Sequence, residues 1–213
     1  MKLIGMLDSP YVRRVAISLQ LMGLPFEHRS LSVFRGFDEF STINPVVKAP
    51  TLICDDGTVL MDSTLILQYC EALAPPRSLV PAGAQALRHE LRLTGLALAA
   101  CEKSVQIVYE HGLRPSEKLH QPWLERVTGQ MRAPCGELEA EITRRPPDIS
   151  SAGLTHGGVG VAVAWHFIRQ MTPSAVPAAD YPALVACSSR AEALPEFRAA
   201  PHGDGTYCAD VRS

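Results

Sequence analysis

The chain has 213 residues, enough for one large or two small domains. Hydrophobic residues make up 46% and charged residues 20%, as in an ordinary soluble globular protein. A formal net charge of −2 argues against a nucleic-acid binder or a protein drawn to anionic membranes. Cys54, Cys70, Cys101, Cys135, Cys187 and Cys208 form neither Cys-x-x-Cys nor a His/Cys zinc spacing. No metal is therefore expected, and most cysteines read as small buried hydrophobes in a reducing cytoplasm. The first apolar run is too short for a secretion signal, and no stretch approaches a membrane span. The adjacent arginines Arg13-Arg14 and Arg144-Arg145 each read as a solvated helix face.

Residues 2–6 form a short apolar strand candidate. Ser9-Pro10 then opens a helix, Ser as N-cap and Pro at the first helical position. Val12, Val15, Ala16 and Leu19 recur at helical spacing, and Gly23 ends the run. Residues 26–31 are a second strand, and residues 37–42 a short helix or irregular segment. Residues 51–54 and 58–60 flank an Asp55-Asp56-Gly57 turn as a hairpin. Asp62 or Ser63 caps a helix reaching about residue 73. Strand–helix–strand, then hairpin and helix, is the order of the thioredoxin-like fold, though other small α/β domains share it.

Ala74-Pro75-Pro76-Arg77-Ser78 cannot continue a helix. Strand signals vanish beyond it. Leu87, Leu91, Thr94, Leu98, Cys101, Val105 and Val108 step along one helical stripe. Trp123, Val127, Met131, Leu138 and Ile142 make a second stripe, which Pro134 is expected to kink. Further helices are expected over residues 162–171, 182–190 and 194–199. The fold class is α+β: a thioredoxin-like α/β domain over 1–76, a linker over 77–84, and an all-helical domain over 85–213. Residues 203–208 read as a disordered tail.

The stretch from Asn44 to Ser63 carries most of the functional information. Lys48-Ala49-Pro50 offers backbone groups to a ligand, especially around a cis bond. Asp62-Ser63 at a helix start offers a carboxylate, a hydroxyl and unpaired N–H groups. A hairpin between them lets both converge on one extended, peptide-like molecule.

Three motifs resemble the cytosolic glutathione transferase family, in particular its bacterial theta-like or beta-like members. They are Ser9-Pro10-Tyr11-Val12-Arg13-Arg14-Val15, Asn44-Pro45-Val46-Val47-Lys48-Ala49-Pro50-Thr51-Leu52 and Asp62-Ser63-Thr64-Leu65-Ile66-Leu67-Gln68-Tyr69. The resemblance implies a cytoplasmic homodimer that takes glutathione as substrate, with no metal. Ser9 would be the catalytic residue, its hydroxyl stabilising the glutathione thiolate for attack on a small hydrophobic electrophile. A plain N-cap would use the same position, and the resemblance favours catalysis over it. Ala49 beside a cis Pro50 would meet the cysteinyl part of glutathione. Asp62 and Ser63 would hold the γ-glutamyl end, and Lys48 or, less directly, Arg35 the glycyl carboxylate. Tyr11, Val105 and Tyr109 would line a second-substrate pocket between the domains. Two other functions fit the fold. One is a non-catalytic glutathione-binding protein; the other is a thiol–disulfide or deglutathionylating enzyme, which Ser at position 9 disfavours.

The chain departs from the family pattern twice. Val47 stands where glycine is usual, so the loop is expected to differ there. In Leu154-Thr155-His156-Gly157-Gly158, Gly158 replaces the acid of a capping box. Loss of that partner is expected to cost about 0.5–2 kcal/mol, so that Gly158→Asp would raise the unfolding midpoint.

Overall fold

A computed structural model describes residues 1–73 and 76–208. Ala74 and Pro75, part of the expected proline-rich break, lie outside the described residues. The chain divides into two compact units: Met1–Pro81 joined by the stretch from Ala193 onward, and Ala82–Glu192.

The first unit is built on a four-stranded mixed sheet of order β2-β1-β3-β4. The strands are β1 (Lys2–Ile4), β2 (Glu27–Arg29), β3 (Thr51–Ile53) and β4 (Val59–Met61). β1 runs parallel to β2, with Leu3 opposite His28, and antiparallel to β3, with Leu3 opposite Leu52. The β3–β4 hairpin turns through Asp55-Asp56-Gly57, where Gly57 takes φ 86°. α1 (Pro10–Met22) crosses from β1 to β2, followed by α2 (Phe37–Ile43) and α3 (Ser63–Ala72). α1 opens and closes as its sequence dictates. Ser9 caps it, Pro10 occupies the first position, and Gly23 at φ 73° returns its N–H to Gln20 and Leu19 carbonyls. This is a thioredoxin-like domain.

Almost every residue of α1 is buried, Arg13 and Arg14 included. The solvated face expected for that pair is therefore wrong. Arg13, only 1% exposed, donates Nε to the Ala200 carbonyl at 2.8 Å and Nη2 to the Phe197 carbonyl at 3.5 Å. Its guanidinium also lies 5.7 Å from the Phe197 ring centre. These carbonyls end α8 (Pro195–Arg198), so a cation serves a helix C-terminus. Residues 193–208, expected in the helical domain, consequently pack with the first unit.

Residues 203–208 are not a loose tail either. The Tyr207 ring stacks on Phe26 at 4.7 Å, and the Tyr207 N–H reaches His28 Nδ1 at 2.9 Å. Ser30 Oγ donates to the Asp204 carbonyl at 2.6 Å, and the Cys208 N–H to the Ala199 carbonyl at 3.0 Å. The segment ties itself beside β2, an edge of the sheet.

The second unit is helical: α4 (Ala84–Leu113), α5 (Gln121–Arg144), α6 (His156–Met171) and α7 (Pro182–Glu192). α6 is apolar on nearly every face and is buried accordingly. Gly160 brings it within reach of α4: a Cβ there would lie 3.6 Å from the Ala97 Cβ. Pro134, expected to interrupt the second stripe, does not end α5.

Three helix starts in this unit receive hydrogen bonds from carboxylates on other helices. Glu90 of α4, 6% exposed, accepts the Thr155 hydroxyl through Oε2 at 2.8 Å and the Gly157 N–H through Oε1. Thr155 Oγ1 in turn accepts the Gly158 N–H at 3.3 Å. The acid missing from position 158 is thus supplied by another helix, and the expected loss of a cap partner is corrected. Glu139 of α5 does the same for α7, accepting the Ala183 and Leu184 N–H groups at 2.7 and 2.8 Å. Glu110 of α4 accepts the N–H of His120, the residue preceding α5, at 3.3 Å.

Five cysteines are buried, Cys208 is exposed, and those described are free thiols. Burial pushes the Cys70 and Cys135 thiols up to about 12 and that of Cys187 to about 11, so these are inert packing groups. No described helix is long and apolar enough to cross a membrane. Among the described residues no group of His, Cys, Asp and Glu is placed to hold a metal ion.

Candidate functional site

Three short pieces of the first unit build the site. The first is the start of α1. Ser9 takes extended backbone angles, and its Oγ accepts the Val12 N–H at 3.4 Å. The hydroxyl uses a lone pair there, so its proton is still available to an outside acceptor. The N-terminal end of α1 adds a partial positive charge at the same point. Asp8 next to it has a carboxyl raised above the ordinary range by burial, opposed by His202, the Ser9 N–H and Arg35.

The second piece is the loop from Asn44 to Pro50. Asn44, buried, donates Nδ2 to Thr51 Oγ1 at 2.8 Å and accepts the Val46 N–H through Oδ1 at 3.0 Å. Thr51 Oγ1 donates to the Lys48 carbonyl at 2.7 Å, and the Val47 N–H reaches the Asn44 carbonyl at 2.9 Å. Inside this frame the Ala49–Pro50 bond is cis and Val47 sits at φ 52°. Val47 thus takes a left-handed conformation that a β-branched side chain disfavours. The valine adopts the left-handed conformation because the hydrogen bonds around it over-determine the turn.

Gly5 joins these two pieces. At φ 136°, a Cβ on Gly5 would stand 2.6 Å from Val12 Cγ2 and 3.0 Å from the Ala49 Cβ. Only glycine lets the Ala49 loop and the first turn of α1 approach the end of β1 together.

The third piece is the start of α3. Asp62, at φ 74°, caps it by accepting the Thr64 N–H through Oδ1 at 2.9 Å. Its Oδ2 lies 3.5 Å from Lys48 Nζ, which brings the second and third pieces together. Ser63 follows, 3% exposed, with its Oγ accepting Arg14 Nη1 at 3.1 Å; the same nitrogen donates to Thr64 Oγ1 at 3.2 Å.

The structure thus gathers Lys48, Ala49, Pro50, Asp62 and Ser63, and links Ala49 to the helix that Ser9 opens. Lys48 faces Asp62. Arg35 is exposed, with Nη2 3.7 Å from Met6 Sδ and 3.9 Å from Asp204 Oδ2. Tyr11 is half-buried on α1. In the second unit, Val105 is half-buried and Tyr109, one turn later on α4, is 43% exposed. Motif spacing alone does not single out Gly5, Asn44, Thr51 or Arg14. The one available signal was Arg14 itself, a charge on a helix whose neighbours Val12, Val15, Ala16 and Ile17 leave it no polar face.

A hydroxyl at the start of α1, a cis-proline loop and a capped α3 thus stand on one thioredoxin-like sheet. Residues 3–78 match the family model described as glutathione S-transferase, N-terminal domain. An uncharacterised GST-like protein, YibF, of Escherichia coli is 24% identical over 173 residues, covering 81% of this chain and 85% of that one. A glutathione S-transferase of Methylobacterium radiotolerans, crystallised with glutathione sulfonate, superposes with a TM-score of 0.83 at 26% identity, over 92% of both chains. A glutathione transferase family member of Pseudomonas fluorescens with bound glutathione gives 0.77 at 28% identity, over 93% of this chain and 97% of that one. Residues 3–78 thus match a glutathione S-transferase N-terminal domain, and over most of its length the chain is similar to glutathione transferase family members.

Proposed function

We propose that this chain is a glutathione transferase in which Ser9 stabilises the glutathione thiolate for attack on a small hydrophobic electrophile. The carrying observation is the Ser9 hydroxyl, which accepts from Val12 and keeps its own proton for a sulfur at the N-terminus of α1. A hydrogen bond to a charged acceptor favours the thiolate over the thiol, and the helix end favours it further. The nucleophile is then glutathione rather than the protein.

Glutathione lies extended along the three pieces. The Ala49 backbone beside Pro50 holds its cysteinyl part. Ser63 takes the γ-glutamyl carboxylate and Asp62 the ammonium, while Lys48 serves the glycyl carboxylate. Tyr11, Val105 and Tyr109 are assigned to the second substrate. The working form is a cytoplasmic homodimer, which sedimentation equilibrium tests directly.

The test is retention on immobilised glutathione followed by conjugation to a panel of aryl halides and enones. Ser9→Ala is expected to lower kcat/KM about 10- to 100-fold, the worth of one hydrogen bond to a charged group. It should also raise the pKa of bound glutathione by about 1–2 units, read from ultraviolet thiolate absorbance. Turnover unchanged by Ser9→Ala overturns the catalytic assignment. Binding with no turnover across the panel leaves a glutathione-binding protein.

A further inference from the structure

We infer that Arg14 is a positioning residue that makes Ser63 selective for a carboxylate. The inference rests on the placement of the γ-glutamyl end at Ser63 given above. Arg14 stands in the second turn of α1, 4% exposed, and one of its nitrogens serves both Ser63 Oγ and Thr64 Oγ1. A guanidinium is always charged and has donors only. At both contacts, then, the hydroxyl oxygen is the acceptor.

That fixes the polarity of Ser63. A serine hydroxyl left to itself rotates and presents either its proton or a lone pair to a ligand. With Arg14 on the oxygen, the proton is turned away from the guanidinium. The first-turn N–H donors of α3 offer it no acceptor, and the neighbouring Thr64 Oγ1 already accepts from the same Arg14 nitrogen. A ligand atom reaching Ser63 therefore meets a hydroxyl proton and helix-start amides, all of which call for an anionic oxygen. The buried positive charge behind the hydroxyl strengthens the same preference, because its field is weakly screened there.

Asp62 has the opposite polarity. Its Oδ1 is occupied by the Thr64 N–H and its Oδ2 faces Lys48, leaving a carboxylate one residue from the hydroxyl. By itself this carboxylate would repel an incoming anion. Arg14 separates the two positions: an anion is favoured at Ser63 and a cation at Asp62. Such an adjacent pair matches the carboxylate and ammonium of an α-amino acid head group in one orientation. Arg14 thus acts through Ser63 and sets the direction in which the peptide lies.

An Arg14 that merely staples α1 to α3 would affect every ligand alike, so the test is a ratio. Binding of glutathione is compared by calorimetry with binding of an analogue in which hydrogen replaces the γ-glutamyl carboxylate. The wild-type protein is expected to prefer glutathione. Arg14→Met should weaken glutathione binding about 10- to 100-fold and leave the analogue within about threefold, collapsing the preference. Arg14→Lys, which keeps the charge and loses the fork, should retain part of it. In a Ser63→Ala background the Arg14 substitutions should add little further loss of preference, since the two residues act as one unit. Equal weakening of both ligands, or full additivity with Ser63→Ala, overturns the inference. If Arg14→Met fails to fold, Arg14→Lys and the Ser63→Ala cycle carry the same comparison. If Ser63→Ala leaves glutathione binding unchanged while the wild type binds tightly, the γ-glutamyl placement is wrong. If the wild type binds no glutathione, the proposed function itself fails.

Discussion

Val47 is the residue at which local preference and the fold disagree most openly. A left-handed conformation costs an L-residue about 1–2 kcal/mol, and a β-branched side chain is poorly suited to it. Glycine would remove that cost but lose about 0.5–1 kcal/mol through greater freedom in the unfolded chain. Val47→Gly is accordingly expected to stabilise by about 1 kcal/mol, shifting the midpoint of thermal unfolding up by about 2–4 °C. An unchanged or lowered midpoint would show that the valine is at ease in the loop. Arg13 makes the complementary case. Its side chain satisfies carbonyls 184 and 187 residues along the chain. The local pattern Arg-Arg read as solvated because its partners lie outside any local window. The N-cap and C-cap of α1 were legible because Ser9, Pro10 and Gly23 act on their own neighbours.

Capping also separates what was visible from what was hidden among the elements. The sequence rule for an N-terminus looks three residues ahead for an acid. α6 and α7 instead receive carboxylates from Glu90 and Glu139, which belong to other helices. The empty position at Gly158 therefore says nothing about stability. A second carboxylate there would be introduced near Glu90, with like charges opposed. Gly158→Asp is now expected to leave the unfolding midpoint unchanged or lowered, and Glu90→Gln to lower stability by about 1–3 kcal/mol. Gly157→Ala should be nearly as harmful, since its Cβ would stand 2.8 Å from Glu90 Oε2. A rise in midpoint for Gly158→Asp in chemical denaturation would restore the local account. Near the end of α5, hydrogen bonds from Arg144 and Arg92 hold the Glu141 carboxyl down to about 2, against burial that would raise it. A depressed carboxyl contributes stability above its unfolded value of 4.5, and that stability is lost as pH falls from there toward 2. Glu141→Gln should flatten the acid limb of the stability curve over that range.

For the whole molecule, the change near residue 80 from alternating strand and helix to helix alone was plain from hydrophobic period. The return of the chain was not. Residues 193–208 carry a short helix and a run of Gly, Pro and small residues with no period to read. They join the first unit through Arg13, Phe26, His28 and Ser30. His28 is central there: its Nε2–H faces the Gly5 carbonyl at 2.8 Å while Nδ1 accepts from Tyr207. Burial lowers its pKa below 6.5, with the Gly5 carbonyl acting the other way. The neutral ring is the one that fits, so its contribution is complete above pH 6.5 and declines as pH falls from 6.5 through the lower folded value. Hydrogen exchange at the Tyr207 amide should accelerate over that interval, and His28→Gln should remove the pH dependence. Exchange that stays pH-independent after correction for intrinsic chemistry would sever the link between ring and segment.

That return of the chain bears on how the protein is made. The sheet and α1 leave the ribosome early, but α8, whose carbonyls Arg13 serves, follows only after about 110 residues of helical unit have been synthesised. Until then the Phe197 and Ala200 carbonyls that Arg13 serves, and the Tyr207 ring that stacks on Phe26, have not been synthesised. The contacts that close the first unit are thus among the last the chain can make.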